Sequence, residues 1–259
     1  MAQKQKDMSI NSLKKEEYRK RLKDIGKRKD LIPGIYNYCD RWCERCHFTA
    51  KCANFSLSEG FMDENHDLKN EQFWDDLKII FEVTLEMLSE HAQEMGIDLS
   101  EIDVSEQREE LPKNEATESS REYGKNVLHW IEHNGKYFSD TAKNMLVVNE
   151  TEVLKLNDAV EVIQWYSYFI SAKIHRAFFD YGMERDENDE YYMYDNLGSA
   201  KIAIISIERS MAALGYILVK MPALEDDIFK FLTTLTFLKK YMLKNFPKAM
   251  EFKRPGFDD

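Results

Sequence analysis

Residues 196 to 220 constrain the fold of this chain more than any other stretch, because apolar side chains would cover a helix there on nearly all sides. A helix that is apolar all round has to be covered by neighbouring elements, whereas a one-sided stripe suits a surface helix. The chain has only ten Gly and five Pro in 259 residues, and sheet proteins need these residues at many tight reversals. We therefore predict an all-α fold, a multi-helix bundle of about six to eight helices with this helix at its centre.

Helical periodicity places the other long helices at about residues 11–29, 71–95, 116–134, 151–181 and 223–246. The apolar seam of the helix at 71–95 alternates steps of three and four residues, and we expect it to pack against the bundle along that line. This seam consists of Trp74, Leu77, Phe81, Thr84, Leu88, His91 and Met95. Pro33 suits the first turn of a further helix, which would carry the first cysteines.

Charge separates the first thirty residues from the rest of the chain. They hold eleven Lys/Arg and five Asp/Glu, whereas the remaining residues carry a net charge of −17. Phosphate contacts need clustered positive charge, so nucleic-acid binding is disfavoured except through this segment. No apolar leader is present and the longest apolar run is too short to span a bilayer, so we expect a cytoplasmic protein with no membrane partner. We divide the chain into a basic amphipathic arm (1–30), a cysteine-rich metal-binding module (31–68) and a helical bundle (69–259).

All four cysteines, Cys39, Cys43, Cys46 and Cys52, fall within fourteen residues in the pattern C-x3-C-x2-C-x5-C. In a cytosolic chain such crowding favours metal ligands over disulfides, because that compartment keeps thiols reduced. Four thiolates satisfy either a [4Fe–4S] cluster or a zinc ion. If one helix ran through the motif, Cys39 and Cys46 would lie about 10 Å apart along its axis, and a cluster would need less unwinding than zinc. We therefore expect a [4Fe–4S] cluster, with zinc as the alternative.

The last three of these cysteines resemble a known iron–sulfur signature. Their spacing, C-x2-C-x5-C from Cys43 to Cys52, is similar to the [4Fe–4S] clip of helix-hairpin-helix DNA glycosylases and of RecB-like nucleases. The resemblance covers only these residues, and those families place the remaining cysteine six residues upstream or far away, so it implies a cluster but no DNA activity. The first three cysteines also resemble the radical S-adenosylmethionine signature, but the strand patterns of that family's barrel are missing.

A polar stripe in the helix at 151–181 is a second candidate site. It carries only one definite charge, which is low for a solvent face in a Lys/Glu-rich protein, and it consists of Asn157, Glu161, Gln164, Tyr168, Ser171 and His175. Lys201, Glu208 and Arg209 of the central helix must find partners, since an unpaired buried charge is costly. The stripe could supply them, either as a structural polar network or as an enzyme site with Glu161, His175, Glu208 and Arg209 as candidate catalytic residues.

Three functions follow from these features. The leading one is a metalloprotein in which the four cysteines hold a centre with a structural or redox role. The alternatives are a metalloenzyme with a polar site between the helices near 157–175 and 201–209, and a nucleic-acid accessory protein that uses the basic arm. His129 and His133 have a metal-ligand spacing, but Trp130 stands where a zincin has its glutamate, and we interpret them as helix-end histidines favoured by the dipole.

Overall fold

A computed structural model of the chain describes residues 2–59, 71–99, 114–147, 149–179 and 190–258, with side chains from residue 11 in the first helix and from residue 195 in the seventh. All regular structure in these ranges is helical, with eight α-helices and no strand, which confirms the all-α prediction for the described part of the chain. The helices are α1 (Ala2–Ile25), α2 (Ala53–Ser58), α3 (Glu71–Glu94), α4 (Glu115–His133), α5 (Gly135–Leu146), α6 (Glu150–Phe178), α7 (Glu190–Lys220) and α8 (Glu225–Asn245).

The chain divides into two compact units. The first is made of Met1–Tyr36 with Arg41–Glu110, and the second of Asn37–Asp40 with Leu111–Asp259. The first unit therefore holds α1 to α3 and three of the four cysteines, whereas the second holds α4 to α8 and the short segment with Cys39. Residues 60–68 of the predicted cysteine-rich module lie outside the described ranges.

In the first unit α1 packs against α3 around a small buried cluster of Tyr18, Ile79 and Val83. Ion pairs border this cluster, because carboxylates along one side of α3 lie opposite cations of α1. The pairs join Lys14 to Asp76 (2.5 Å), Lys15 to Glu82 (2.8 Å) and Glu86 (3.2 Å), and Arg19 to Glu86 (2.9 Å) and Glu90 (2.7 Å).

The prediction that α3 packs along its Trp74–Met95 seam is wrong. Trp74, Phe81, Leu88 and Met95 are 53%, 59%, 57% and 62% exposed, whereas Ile79 on the other side of the helix is buried. The reason is that α3 has two apolar stripes, and its acidic residues that pair with α1 flank the stripe that periodicity did not select. Contact with α1 therefore decides which side of α3 is buried.

In the second unit α7 is the central helix, as predicted. It packs against α6 and α8, and α4 packs on α6 and α8 in turn. The side chains of Ile202, Ile204, Ile207, Leu214 and Ile217 on α7 are almost completely buried. By length and composition one segment, Asp195–Lys220, could cross a membrane, but half of its most apolar window is buried inside the structure.

Small residues let the helices of this bundle approach each other. At Gly124 on α4 an added Cβ would lie 2.6 Å from the carbonyl oxygen of Ser167 on α6. At Gly198 on α7 an added Cβ would lie 2.4 Å from ring carbons of Tyr38. Gly198 thus makes room for the segment that carries Cys39.

Candidate metal centre

Turns, and no α-helix, carry Cys43, Cys46 and Cys52 in the first unit. Two 3₁₀ turns, Cys43–Arg45 and Thr49–Lys51, are each followed directly by a cysteine in extended conformation. The N–H of Cys46 donates to the Cys43 carbonyl (3.1 Å), and the N–H of Cys52 donates to the Thr49 carbonyl (3.1 Å). The expectation of a helix through the first cysteines is therefore wrong.

Arg41 supplies the physical reason why no helix forms there. It lies between Cys39 and Cys43 with a φ of 60°, a left-handed conformation that non-glycine residues rarely adopt and that ends a right-handed helix. The axial distance of a continuous helix therefore gives no reason to prefer a cluster over zinc.

The backbone around Cys46 presents one hydrogen-bond donor to its sulfur. The N–H of Phe48 donates to Cys46 Sγ over 3.4 Å. The guanidinium of Arg45 is stacked 3.8 Å from the centroid of the Trp42 ring, so a fixed positive charge sits between two of the cysteines in sequence. Both groups lie in the stretch of chain from Trp42 to Phe48 that contains Cys43 and Cys46.

The loop around Cys52 is tied to the end of α1. Arg28 donates to the carbonyl of Ala50 (2.9 Å) and to Ser56 Oγ (3.2 Å), and the N–H of Ile32 donates to the carbonyl of Lys51 (3.0 Å). These bonds hold the chain on both sides of Cys52 in a defined course.

All four cysteines are of intermediate burial, and none forms a disulfide. The donor set is chemically suited to a [4Fe–4S] cluster or to zinc. Among the described residues, however, no group of three or more His, Cys, Asp or Glu side chains is placed to hold a metal ion. The cysteine-rich metal centre therefore stays a prediction.

Cys39 lies in the four-residue segment 37–40, which the second unit holds through its neighbours. Lys173 Nζ on α6 donates to the carbonyl of Asn37 (2.8 Å), and Trp165 Nε1 on the same helix donates to the carbonyl of Asp40 (2.9 Å). The ring of Tyr38 packs edge-on against Phe252 with centroids 4.9 Å apart. The backbone is thus fixed on both sides of Cys39.

The carboxylate of Asp40 is the centre of a small polar cluster in the second unit. Its Oδ2 accepts from Tyr166 Oη (2.9 Å) and from the Arg209 guanidinium (2.6 Å), and Arg209 also contacts Tyr166 Oη. Burial raises the pKa of Tyr166 to about 12, so its hydroxyl keeps the proton that it donates to Asp40. Sequence reasoning missed Asp40 and Tyr166, because they are 126 residues apart and Tyr166 lies off the polar stripe.

The charged residues of α7 find partners, but not as the polar stripe suggested. Lys201 donates to the Phe252 carbonyl (2.6 Å) and pairs with Asp258 (2.8 Å). Glu208 pairs with Lys239 on α8 (2.8 Å), and Arg209 pairs with Asp40.

The stripe itself is mostly a solvent face. Glu161 and His175 are exposed, as are Asn157, Gln164 and Tyr168, and only Ser171 is buried. The interpretation as a buried network is therefore wrong for this face.

His129 and His133 line an open groove of about 650 Å³ between α4 and α8. Their rings are stacked with centroids 6.4 Å apart. The floor of the groove is aromatic, since Tyr123 and Trp130 each pack edge-on against Phe231. The two histidines are thus exposed groove residues near the C-terminal end of α4.

A comparison of the chain with protein-family models, with curated proteins and with solved structures returns no match.

Proposed function

We propose that Cys39, Cys43, Cys46 and Cys52 together ligate a metal centre with a structural or redox role. The observation that carries this proposal is that every cysteine of the chain falls within fourteen residues, and none of the four forms a disulfide. Cysteines in a reducing compartment are seldom concentrated in this way without a ligand function. Cys39 is included because of its place in the sequence, four positions before Cys43.

We propose a [4Fe–4S] cluster in preference to zinc. The support is the resemblance of the Cys43–Cys52 spacing to known cluster clips, together with the cationic residues Arg41, Arg45 and Lys51 among the cysteines, which would offset thiolate charge. The N–H donor at Cys46 Sγ is of the kind that tunes cluster potentials. Such a cluster would supply one-electron transfer or hold the loop in shape.

We also propose a cytoplasmic location, where reducing conditions keep the four thiols available. The basic arm is less suited to nucleic acid than its composition suggested, because Lys14, Lys15 and Arg19 are engaged by carboxylates of α3. The enzyme alternative has less support too, because Glu208 is paired with Lys239.

Anaerobic purification of the full chain, followed by metal analysis and an absorption spectrum, tests the proposal. We expect a brown protein with about four irons per chain and a broad visible band. A colourless protein with one zinc would support the ligand set and overturn the choice of metal. A protein that takes up neither iron nor zinc in stoichiometric amount, before or after anaerobic reconstitution, would overturn the metal centre.

Single substitutions then identify the ligands. Cys43→Ser and Cys39→Ser should each lower the bound metal, and equal metal content in Cys39→Ser and wild type would remove Cys39 from the set. Ser58→Ala is the matched control, because the Ser58 hydroxyl only donates to carbonyls of its own helix, at 3.1 and 3.3 Å. It should leave the metal content unchanged.

A further inference from the structure

One side of α3 exposes a regular row of large apolar side chains. Trp74, Phe81, Leu88 and Met95 follow one another at intervals of seven residues and are 53–62% exposed, and Leu85 beside them is 62% exposed. We call these five residues the α3 seam. Scattered apolar residues are normal on protein surfaces, but a contiguous row at heptad spacing is the pattern of a helix that packs against another helix.

Several positions beside the α3 seam are also apolar. Ile80 and Met87 on one side are partly buried against the cluster that α3 shares with α1, and Ala92 on the other side is buried. Two-stranded coiled coils carry charges at these flanking positions, whereas helices that pack into a larger bundle carry a wider apolar stripe. The α3 seam therefore suits packing of one helix pair upon another.

Ion pairs offset part of the acidic charge of α3 near this surface. Four of its carboxylates pair with cations of α1, those of Asp76, Glu82, Glu86 and Glu90. Lys78 adds a positive charge at one margin of the seam, whereas Glu71, Asp75 and Glu94 are exposed acidic residues. Repulsion between two copies at this surface is thus smaller than the formal charge of −11 would suggest.

The exposed area is sufficient for a dimer. Five side chains that are each more than half exposed present roughly 100 Å² apiece, hence about 500 Å² per copy and about 1,000 Å² in a symmetric pair. This reaches the lower limit for a specific protein interface before any flanking polar groups are added.

We propose that the α3 seam is a homodimer interface, in which the α1–α3 pairs of two copies pack seam against seam. Such a contact is isologous, since the same surface is used by both copies and the symmetry closes at two. It buries the apolar row of both chains in one step. The proposal is independent of the metal centre.

Sedimentation equilibrium of the full chain in a reducing buffer tests the proposal, because reductant excludes dimers linked through the cysteines. We expect a species of twice the 30.6 kDa chain mass at micromolar concentration. The double variant Leu85→Lys with Leu88→Lys should weaken dimerisation at least about thirtyfold, since both side chains lie at the middle of the interface. Its helix content by circular dichroism should stay unchanged, because both positions are exposed in the isolated chain.

The matched control places the same two lysines on exposed apolar residues of the second unit, Val147→Lys with Leu154→Lys, which are 89% and 61% exposed. This control should dimerise as the wild type does. The proposal would be overturned by a wild-type chain that stays monomeric at about 100 μM. It would also be overturned if the α3 variant formed a dimer as stable as that of the wild type. If the wild type is monomeric and Leu88→Lys lowers its free energy of unfolding, the homodimer proposal is overturned, and something other than a second copy covers the α3 seam.

Discussion

The two units of the chain rely on different contacts. In the second unit, α7 buries a continuous row of side chains such as Ile202, Ile207 and Leu214 among α6 and α8. In the first unit, α1 and α3 bury only a small cluster around Ile79, which a ladder of ion pairs borders. The burial of a helix that is apolar all round can be predicted from its own sequence. For a helix with two apolar stripes, contact with a specific partner helix decides which stripe is buried.

Matched core truncations give the largest expected difference between the units. Ile207→Ala in the second unit should lower the free energy of unfolding by about 4 kcal/mol, because the cavity is enclosed on all sides. Ile79→Ala in the first unit should cost about 2 kcal/mol, because its partly exposed neighbours can collapse into the space. Hydrogen exchange of amides in α7 and in α1–α3 measures the two effects separately. Equal losses would remove the distinction between the units.

Two helical glycines of the second unit sharpen the account of its close packing. Gly124→Ala should lower the free energy of unfolding by about 1–3 kcal/mol, because its Cβ would meet the Ser167 carbonyl oxygen at 2.6 Å. A Cβ added at Gly215 on α7 would have no atom within 4 Å. Gly215→Ala should therefore raise the free energy of unfolding by about 0.5–1 kcal/mol through helix propensity alone. Urea unfolding of both variants tests the opposite signs, and a stabilising Gly124→Ala would contradict the close α4–α6 approach.

A feature of the fold could be predicted from the sequence where it depends only on residues of the same element. The burial of α7 follows from its own residues, so it was predicted correctly. The buried side of α3 depends on cations of α1 that lie about seventy residues away, such as Arg19 opposite Glu90, and periodicity within α3 contains no trace of them. The backbone path of the cysteine loop depends on Arg41, which is in the left-handed conformation. An arginine in a sequence does not predict that conformation.

The candidate sites show the same limit. The crowding of the four cysteines is visible in the sequence, whereas the polar cluster joins Asp40 to Tyr166 and Arg209, which lie 126 and 169 positions away. Arg209 was recognised as needing a partner, because it interrupts an apolar helix. Its partner could not be identified, since Asp40 lies in a turn that carries no periodic signal.

Salt should weaken the first unit more than the second. The α1–α3 ion pairs are largely solvent-accessible, so added salt screens them, whereas apolar burial in the α7 core is strengthened or unchanged. We expect amides of α1 and α3 to exchange faster in 1 M than in 0.1 M NaCl while those of α7 do not. Arg19→Gln should reduce this salt effect, because Arg19 pairs with both Glu86 and Glu90. Exchange that is insensitive to salt in α1 would show that the ladder adds little.

Low pH should weaken an electrostatic contact of the second unit, which in this respect resembles the first unit. Glu152 on α6 is hydrogen-bonded by Lys220 (2.5 Å), Lys155 (2.9 Å) and Tyr216 (3.1 Å), and these bonds lower its pKa to about 2. A carboxyl with a lowered pKa stabilises the fold above its ordinary pKa of 4.5, and this contribution is lost as the pH falls through about 2. Glu152→Gln should therefore be less stable than wild type at pH 7 and equal to it near pH 2.

The control is Glu150→Gln, which replaces an exposed acidic residue in the same first turn of α6. In urea unfolding it should keep the wild-type dependence of stability on pH. A constant difference between Glu152→Gln and wild type across this range would mean that the Glu152 side chain acts through packing and not through its charge.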